Sequence, residues 1–214
     1  MAGQRDRSKG LRGEAGFSLA ETLIATVISS IVLLGLYLMY DVNQATFIRG
    51  EQQTDLQQNA RIAMDRLVRE LRMAGNDPSG ALPLAGTAIL TADNTEVIFV
   101  ADVDSDGITE KVGYICRDDG GTLCTNQDPA EIRRETCNWD GDAWEGCTGY
   151  RELATRATAL IFAYYDGGGT PVPAGSLDTI RRIAVTITTA DTVTGTVPQP
   201  FTLQAHIRPR NLGL

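Results

Sequence analysis

Residues 17–40 read FSLAETLIATVISSIVLLGLYLMY, and their interpretation decides the architecture of the rest. The run is almost wholly apolar and long enough for a helix to cross a bilayer core, which takes about 20 residues. A secretory signal would have a shorter apolar core followed by a small-residue cleavage site. Here the small-residue junction, Glu14-Ala15-Gly16, comes before the run. A cut at that point leaves the hydrophobic helix on the mature chain. One charged residue, Glu21, interrupts the run about one helical turn inside it. A carboxylate in hydrocarbon is costly unless paired, which makes it a functional candidate. The plainer reading is a glutamate near the helix end that reaches the membrane interface.

Working outward, residues 1–16 carry Arg5, Arg7, Lys9 and Arg12 against Asp6 and Glu14, a basic leader ahead of the apolar segment. Beyond Tyr40 the chain turns polar without a Pro or Gly cluster, so the helix is expected to continue through residues 41–74. Leu56, Ala60, Ala63, Leu67, Leu71 and Ala74 recur at three- and four-residue spacing. They form one apolar stripe beside Arg61, Asp65, Arg66, Arg69, Glu70 and Arg72. Gly75 suits a helix C-terminal cap and Pro78 blocks continuation.

After Gly75 the signals become those of strands, over 95–101, 109–116, 157–165, 179–189 and 201–208, rich in β-branched and aromatic residues and separated by Gly, Asp or Pro turns. In the last, Phe201, Leu203, Ala205 and Ile207 alternate with Thr202, Gln204, His206 and Arg208, the mark of a strand with one buried face. His206 therefore falls on the polar side. Residues 117–156 show little regular pattern and are expected to form a stapled surface loop. A lone helix followed by antiparallel strands predicts an α+β fold, with residues 75–214 as a β-rich head.

The string GFSLAE at residues 16–21, preceded by Lys9 and Arg12 and followed by the apolar run, closely resembles the processing signal of type IV prepilins and type II secretion pseudopilins. Glycine before the cut, phenylalanine after it and glutamate at the fifth mature position are matched by Gly16, Phe17 and Glu21. The resemblance implies that a prepilin peptidase cuts between Gly16 and Phe17 and methylates the Phe17 amine. It also implies that Glu21 faces the Phe17 ammonium of a neighbouring subunit during assembly. Many major pilins bend this helix with a proline, and none occurs between Phe17 and Met73.

The stretch QQNARIAMDRLVRELRMAGNDP (57–78), together with DGITEKVGYICR (106–117), ALIFAYYD (159–166) and IRPRN (207–211), resembles PilW-type minor pilins more loosely but along nearly the whole mature chain. That likeness implies a type IV pilin-like fold and a low-copy structural subunit that starts or caps a filament. Its partners would be other minor and major pilins and the pilus assembly machinery. Before assembly it would sit in the inner membrane by a single pass with a periplasmic head, and afterwards in a surface filament. J-type pseudopilins of type II secretion share the design and stay open as an alternative, as does a pilus-tip adhesin.

The chain has 214 residues and a formal charge of -8, with a pI near 4.7. Direct nucleic-acid binding needs clustered Lys and Arg and is not expected. Cys116, Cys124, Cys137 and Cys147 are the four cysteines. Disulfides suit an oxidising compartment, free thiols or zinc being the other readings. Loop closure favours the near neighbours, Cys116 with Cys124 and Cys137 with Cys147.

Asp102, Asp104 and Asp106 followed by Gly107 reproduce the first half of an EF-hand calcium loop, with the Ile108 carbonyl and Glu110 close behind. The bidentate glutamate of a full loop would fall at Gly113, so an acidic hairpin turn is the competing reading. No cofactor is expected to be required, and calcium is the one ion the sequence suggests. No P-loop, H-E-x-x-H, G-x-S-x-G or dinucleotide fingerprint occurs, and Gly167-Gly168-Gly169 reads as a turn before Pro171. A filament subunit is favoured over an adhesive head using Trp139 and Trp144, and over a membrane-tethered enzyme.

Overall fold

In the computed structural model, residues 16–80, 88–124, 130–173, 176–190 and 200–212 are described. Helix α1 spans Leu19–Met73, 55 residues. The leader before Gly16 lies outside the described residues. Two compact units divide the chain between Arg49 and Gly50.

In the first unit the described residues are helical from Leu19, and every one is exposed. Ile31, Val32, Leu33 and Leu34, successive residues about 100° apart around the helix, are each more than half exposed. A helix apolar all round needs an apolar environment on every side. Its hydroxyls are satisfied internally: Thr26 Oγ1 donates to Leu23 O at 2.8 Å, and Ser30 Oγ to Thr26 O at 2.7 Å. α1 is the one described helix long and apolar enough to cross a membrane.

Among the described residues the second unit contains eight strands. They are β1 (Ile89–Ala92), β2 (Glu96–Ala101), β3 (Glu110–Arg117), β4 (Ala130–Trp139), β5 (Trp144–Glu145), β6 (Arg151–Tyr165), β7 (Arg182–Thr189) and β8 (Phe201–Ile207). The sheet runs β1-β2-β3-β4-β6-β7-β8, with β5 paired to β4, and every pairing is antiparallel. β6 is long enough to pair β4 along its first half and β7 along its second. Arg156, at φ 56°, stands where it changes partner.

The inward row of the sheet meets the helix stripe. Val97, Phe99, Val112, Tyr114, Ile132, Leu160, Phe162, Ile183, Val185, Ile187 and Ile207 form one core with Ala60, Ala63, Met64, Leu67 and Leu71. Burying side chains of this size is worth about 1.5–3 kcal/mol each for the larger ones, so this face dominates the stability of the head. Leu56 and Ala74, at the ends of the stripe, are buried as the spacing predicts. The architecture is α+β and type IV pilin-like: one long N-terminal helix, its later part packed on an antiparallel sheet.

Gly75 ends the helix at φ +82°, and a Cβ there would stand 3.1 Å from Ala88 Cβ and from Asn211 Cβ and O. The left-handed conformation favours glycine, and the surrounding atoms leave little room for a side chain. Its N–H donates to Val100 O at 2.8 Å, tying the cap to β2.

Three expectations need correction. Residues 117–156 are not one loop: β4, β5 and the start of β6 lie within them, although 125–129 fall outside the described residues. β4 was hidden by its polar composition, because Arg134 and Thr136 continue the inward row begun by Ala130 and Ile132. The strand expected at 179–189 starts only at Arg182, preceded by a 3-10 turn at Leu177–Thr179. Glu70, read as one of the charged residues beside the apolar stripe, is buried, at 6% exposure. Both its oxygens are occupied. Arg66 Nε donates to Oε1 at 2.9 Å, Arg134 Nε to Oε2 at 2.8 Å and Tyr114 Oη to Oε2 at 2.6 Å. Register places Tyr114 opposite Arg134, so two adjacent strands deliver the donors together. Burial, then the neighbouring carboxylate, hold the Tyr114 hydroxyl far above its usual range, keeping it a donor.

Candidate functional site

At the start of α1, Gly16 has no atom within 4 Å of the position a Cβ would take, and Phe17 is 89% exposed. Among the described residues nothing crowds the Gly16 side of the bond between them. Glu21 Oε2 accepts the Ser18 N–H at 3.0 Å, while Ser18 Oγ accepts the Ala20 N–H at 3.3 Å. Ser18 and Glu21 thus form a capping-box pair at the first helical turn. The S-x-x-E spacing is present in the sequence and signals this pairing directly. A carboxylate in the first turn also meets the positive end of the helix dipole. No Lys or Arg pairs with Glu21 among the described residues. The capping hydrogen bond satisfies one oxygen without neutralising the charge.

At the other end of α1, the turn between β2 and β3 gathers four acids. One carboxylate oxygen each from Asp102, Asp104, Asp106 and Glu110 lies within 4.8 Å of the others. Asp104 and Asp106 are exposed, whereas Asp102 and Glu110 are each only 3% exposed. Backbone N–H groups hold the turn. Ser105 N donates to Asp102 Oδ1 at 2.6 Å, Ile108 N to Asp106 Oδ1 at 2.8 Å and Val103 N to Glu110 Oε2 at 2.8 Å. Glu110 Oε1 is buried without a hydrogen-bond partner. Burial raises its pKa to about 7 against the opposing Val103 N–H, and the charges of Asp104, Asp106 and Asp102 add to the rise. Gly113 cannot supply the glutamate of a complete EF-hand loop, since even a Cβ there would come within 2.7 Å of Tyr150 Oη.

Cys116 is bonded to Cys124 and Cys137 to Cys147, with Cα–Cα separations of 5.5 and 4.0 Å. The first bridge closes the turn after β3 and the second ties β4 to the segment after β5. With both pairs bonded, neither zinc ligation nor a free thiol is open to them. Trp139 and Trp144 pack on one another, centroids 5.0 Å apart, and both are half-buried. His206 is exposed on β8, as the alternation predicts.

A family model described as the prokaryotic N-terminal methylation motif matches residues 11–37. No curated protein matches the chain. The motif supports a type IV pilin or pseudopilin-type protein, a class that is structural rather than catalytic. It implies processing by prepilin peptidase and assembly with other pilins, and with the apolar helix it is consistent with inner-membrane anchoring.

Proposed function

We propose that this chain is a minor pilin of a type IV pilus, cut between Gly16 and Phe17, methylated on the new amine and incorporated at the start or cap of a filament. The observation that carries the reading is Glu21, without a Lys or Arg partner among the described residues, four residues beyond Phe17 and at the head of a helix whose residues through Arg49 are all exposed. Cleavage creates a cation at Phe17. In low dielectric that ammonium and a neighbour's Glu21 neutralise each other, which favours subunits in register. The uninterrupted helix and the likeness of the head to PilW-type subunits favour the minor role over the major one.

Mass spectrometry of the membrane-fraction protein is expected to give an N-terminal N-methyl-Phe17. A terminus inside the apolar run would overturn the reading. Imaging a deletion strain is expected to show filaments lost or sharply reduced in number. Normal filaments with failed protein secretion would assign the subunit to a type II system instead.

A further inference from the structure

The acidic turn between β2 and β3 is not used by the function proposed above, and its hydrogen bonds do not account for its composition. Backbone donors explain how the chain folds back there. They do not explain why Glu110, almost wholly buried, keeps Oε1 without any partner. Nor do they balance four carboxylates with oxygens within 4.8 Å of one another, since no Lys or Arg forms an ion pair with any of them among the described residues. A buried anionic oxygen with no donor is stabilised by a cation placed against it.

We propose that Asp102, Asp104, Asp106 and Glu110 bind one calcium ion, which closes the β2–β3 turn. The donor set is all oxygen, which suits a hard cation and not zinc or copper. Calcium accepts six to eight oxygens in flexible geometry, so backbone carbonyls and solvent can complete four carboxylates. Magnesium demands near-octahedral geometry and sheds water reluctantly. Glu110, eight residues beyond Asp102, takes the place of the glutamate that a complete EF-hand loop would carry at position 113.

The site also adjoins the end of α1. Asp102 N donates to Asn76 O at 2.9 Å, and Thr109 Oγ1 donates to Asp77 Oδ1 at 2.8 Å. A cation that fixes the turn therefore fixes the segment that follows the helix, at Asn76 and Asp77, to the sheet.

The test uses the full chain in detergent, stripped with EDTA and dialysed against calcium or magnesium. About one calcium per chain is expected, with a sub-millimolar dissociation constant and a melting temperature raised by about 3 °C or more. Asp104→Asn, at an exposed position, is expected to weaken calcium binding on the order of tenfold while leaving the melting temperature in EDTA unchanged or higher. Glu110→Gln is expected to melt higher than wild type in EDTA and to lose the calcium response. Should that buried variant fail to fold, Asp106→Asn serves as the second exposed test. Absence of stoichiometric calcium at about 5 mM would overturn the site. So would unchanged affinity in Asp104→Asn, or magnesium bound as tightly as calcium.

Discussion

Glu70 and Glu21 both interrupt apolar stretches of α1, but among the described residues only Glu70 finds counter-charges. Glu70 lies in the core stripe and accepts from two arginines and a tyrosine, one arginine from its own helix and the other two groups from β3 and β4. Glu21 lies in the exposed apolar half and accepts one backbone N–H. A glutamate kept in an apolar setting needs compensation, and the location of the compensation indicates the role. At Glu70 it is complete, so the residue holds the head together. At Glu21 it is incomplete among the described residues, and under the proposed function the missing cation is a neighbouring subunit's Phe17 ammonium.

The sharpest way to break this comparison is Glu70→Ala. It strands Arg134 and the Tyr114 hydroxyl in the core, and losing one partner of a buried ion pair costs about 3–5 kcal/mol. Chemical denaturation of the full chain, followed through tryptophan fluorescence, is expected to show a loss of that size. A loss below about 1 kcal/mol would mean that solvent screens the network as it does a surface pair. The double variant Glu70→Leu with Arg134→Met is expected to recover most of the stability, since apolar replacements of a buried pair are often neutral or better.

Next in size come the bridges. Replacing Cys116 and Cys124 together by Ser reopens a loop spanning 8 residues of sequence separation, for which loop-closure entropy gives about 2.5 kcal/mol. The same double change at Cys137 and Cys147 is expected to cost slightly more, its separation being 10. Thermal denaturation of the two variants checks both the size and the order. An equal or greater loss at Cys116 and Cys124 would show that packing, not loop length, sets the contribution.

The same contrast explains which features were legible in sequence. The apolar run, the helix stripe and the alternating β8 depend on local periodicity, and the fold follows them. The near-neighbour cysteine pairs likewise follow from short loops. What stayed illegible depends on partners distant in sequence. Arg134 looks like loop composition until Glu70, 64 residues earlier, is known to meet it. That polar inward position hid β4 and, with it, the paired first half of β6. β1, only 4 residues long, carries too little pattern to stand out. In the acidic turn the aspartates were readable from spacing, but the burial of Glu110 and its unpartnered oxygen arise only from folding.

The smallest effect in the isolated chain is expected from Glu21→Ala. It removes one capping hydrogen bond and a favourable first-turn charge, worth about 0.3–1 kcal/mol and confined to the start of α1. The second unit starts at Gly50, so the melting temperature of the head should not move. Membrane insertion should be at least as favourable, because a carboxylate has left the apolar segment. Cleavage after Gly16 should persist, since the junction itself is unchanged. In the assembled state the prediction is different: a neighbour's Phe17 ammonium loses its counter-charge in low dielectric, a cost of about 3–5 kcal/mol at each such contact. For a subunit that starts filaments, the defect should appear as fewer filaments of ordinary length. Counting filaments in a deletion strain complemented with Glu21→Ala, alongside the head's melting temperature, separates the two glutamates. Normal filament number would show that Glu21 is only a helix cap, whereas a destabilised head would show that it contributes to folding after all.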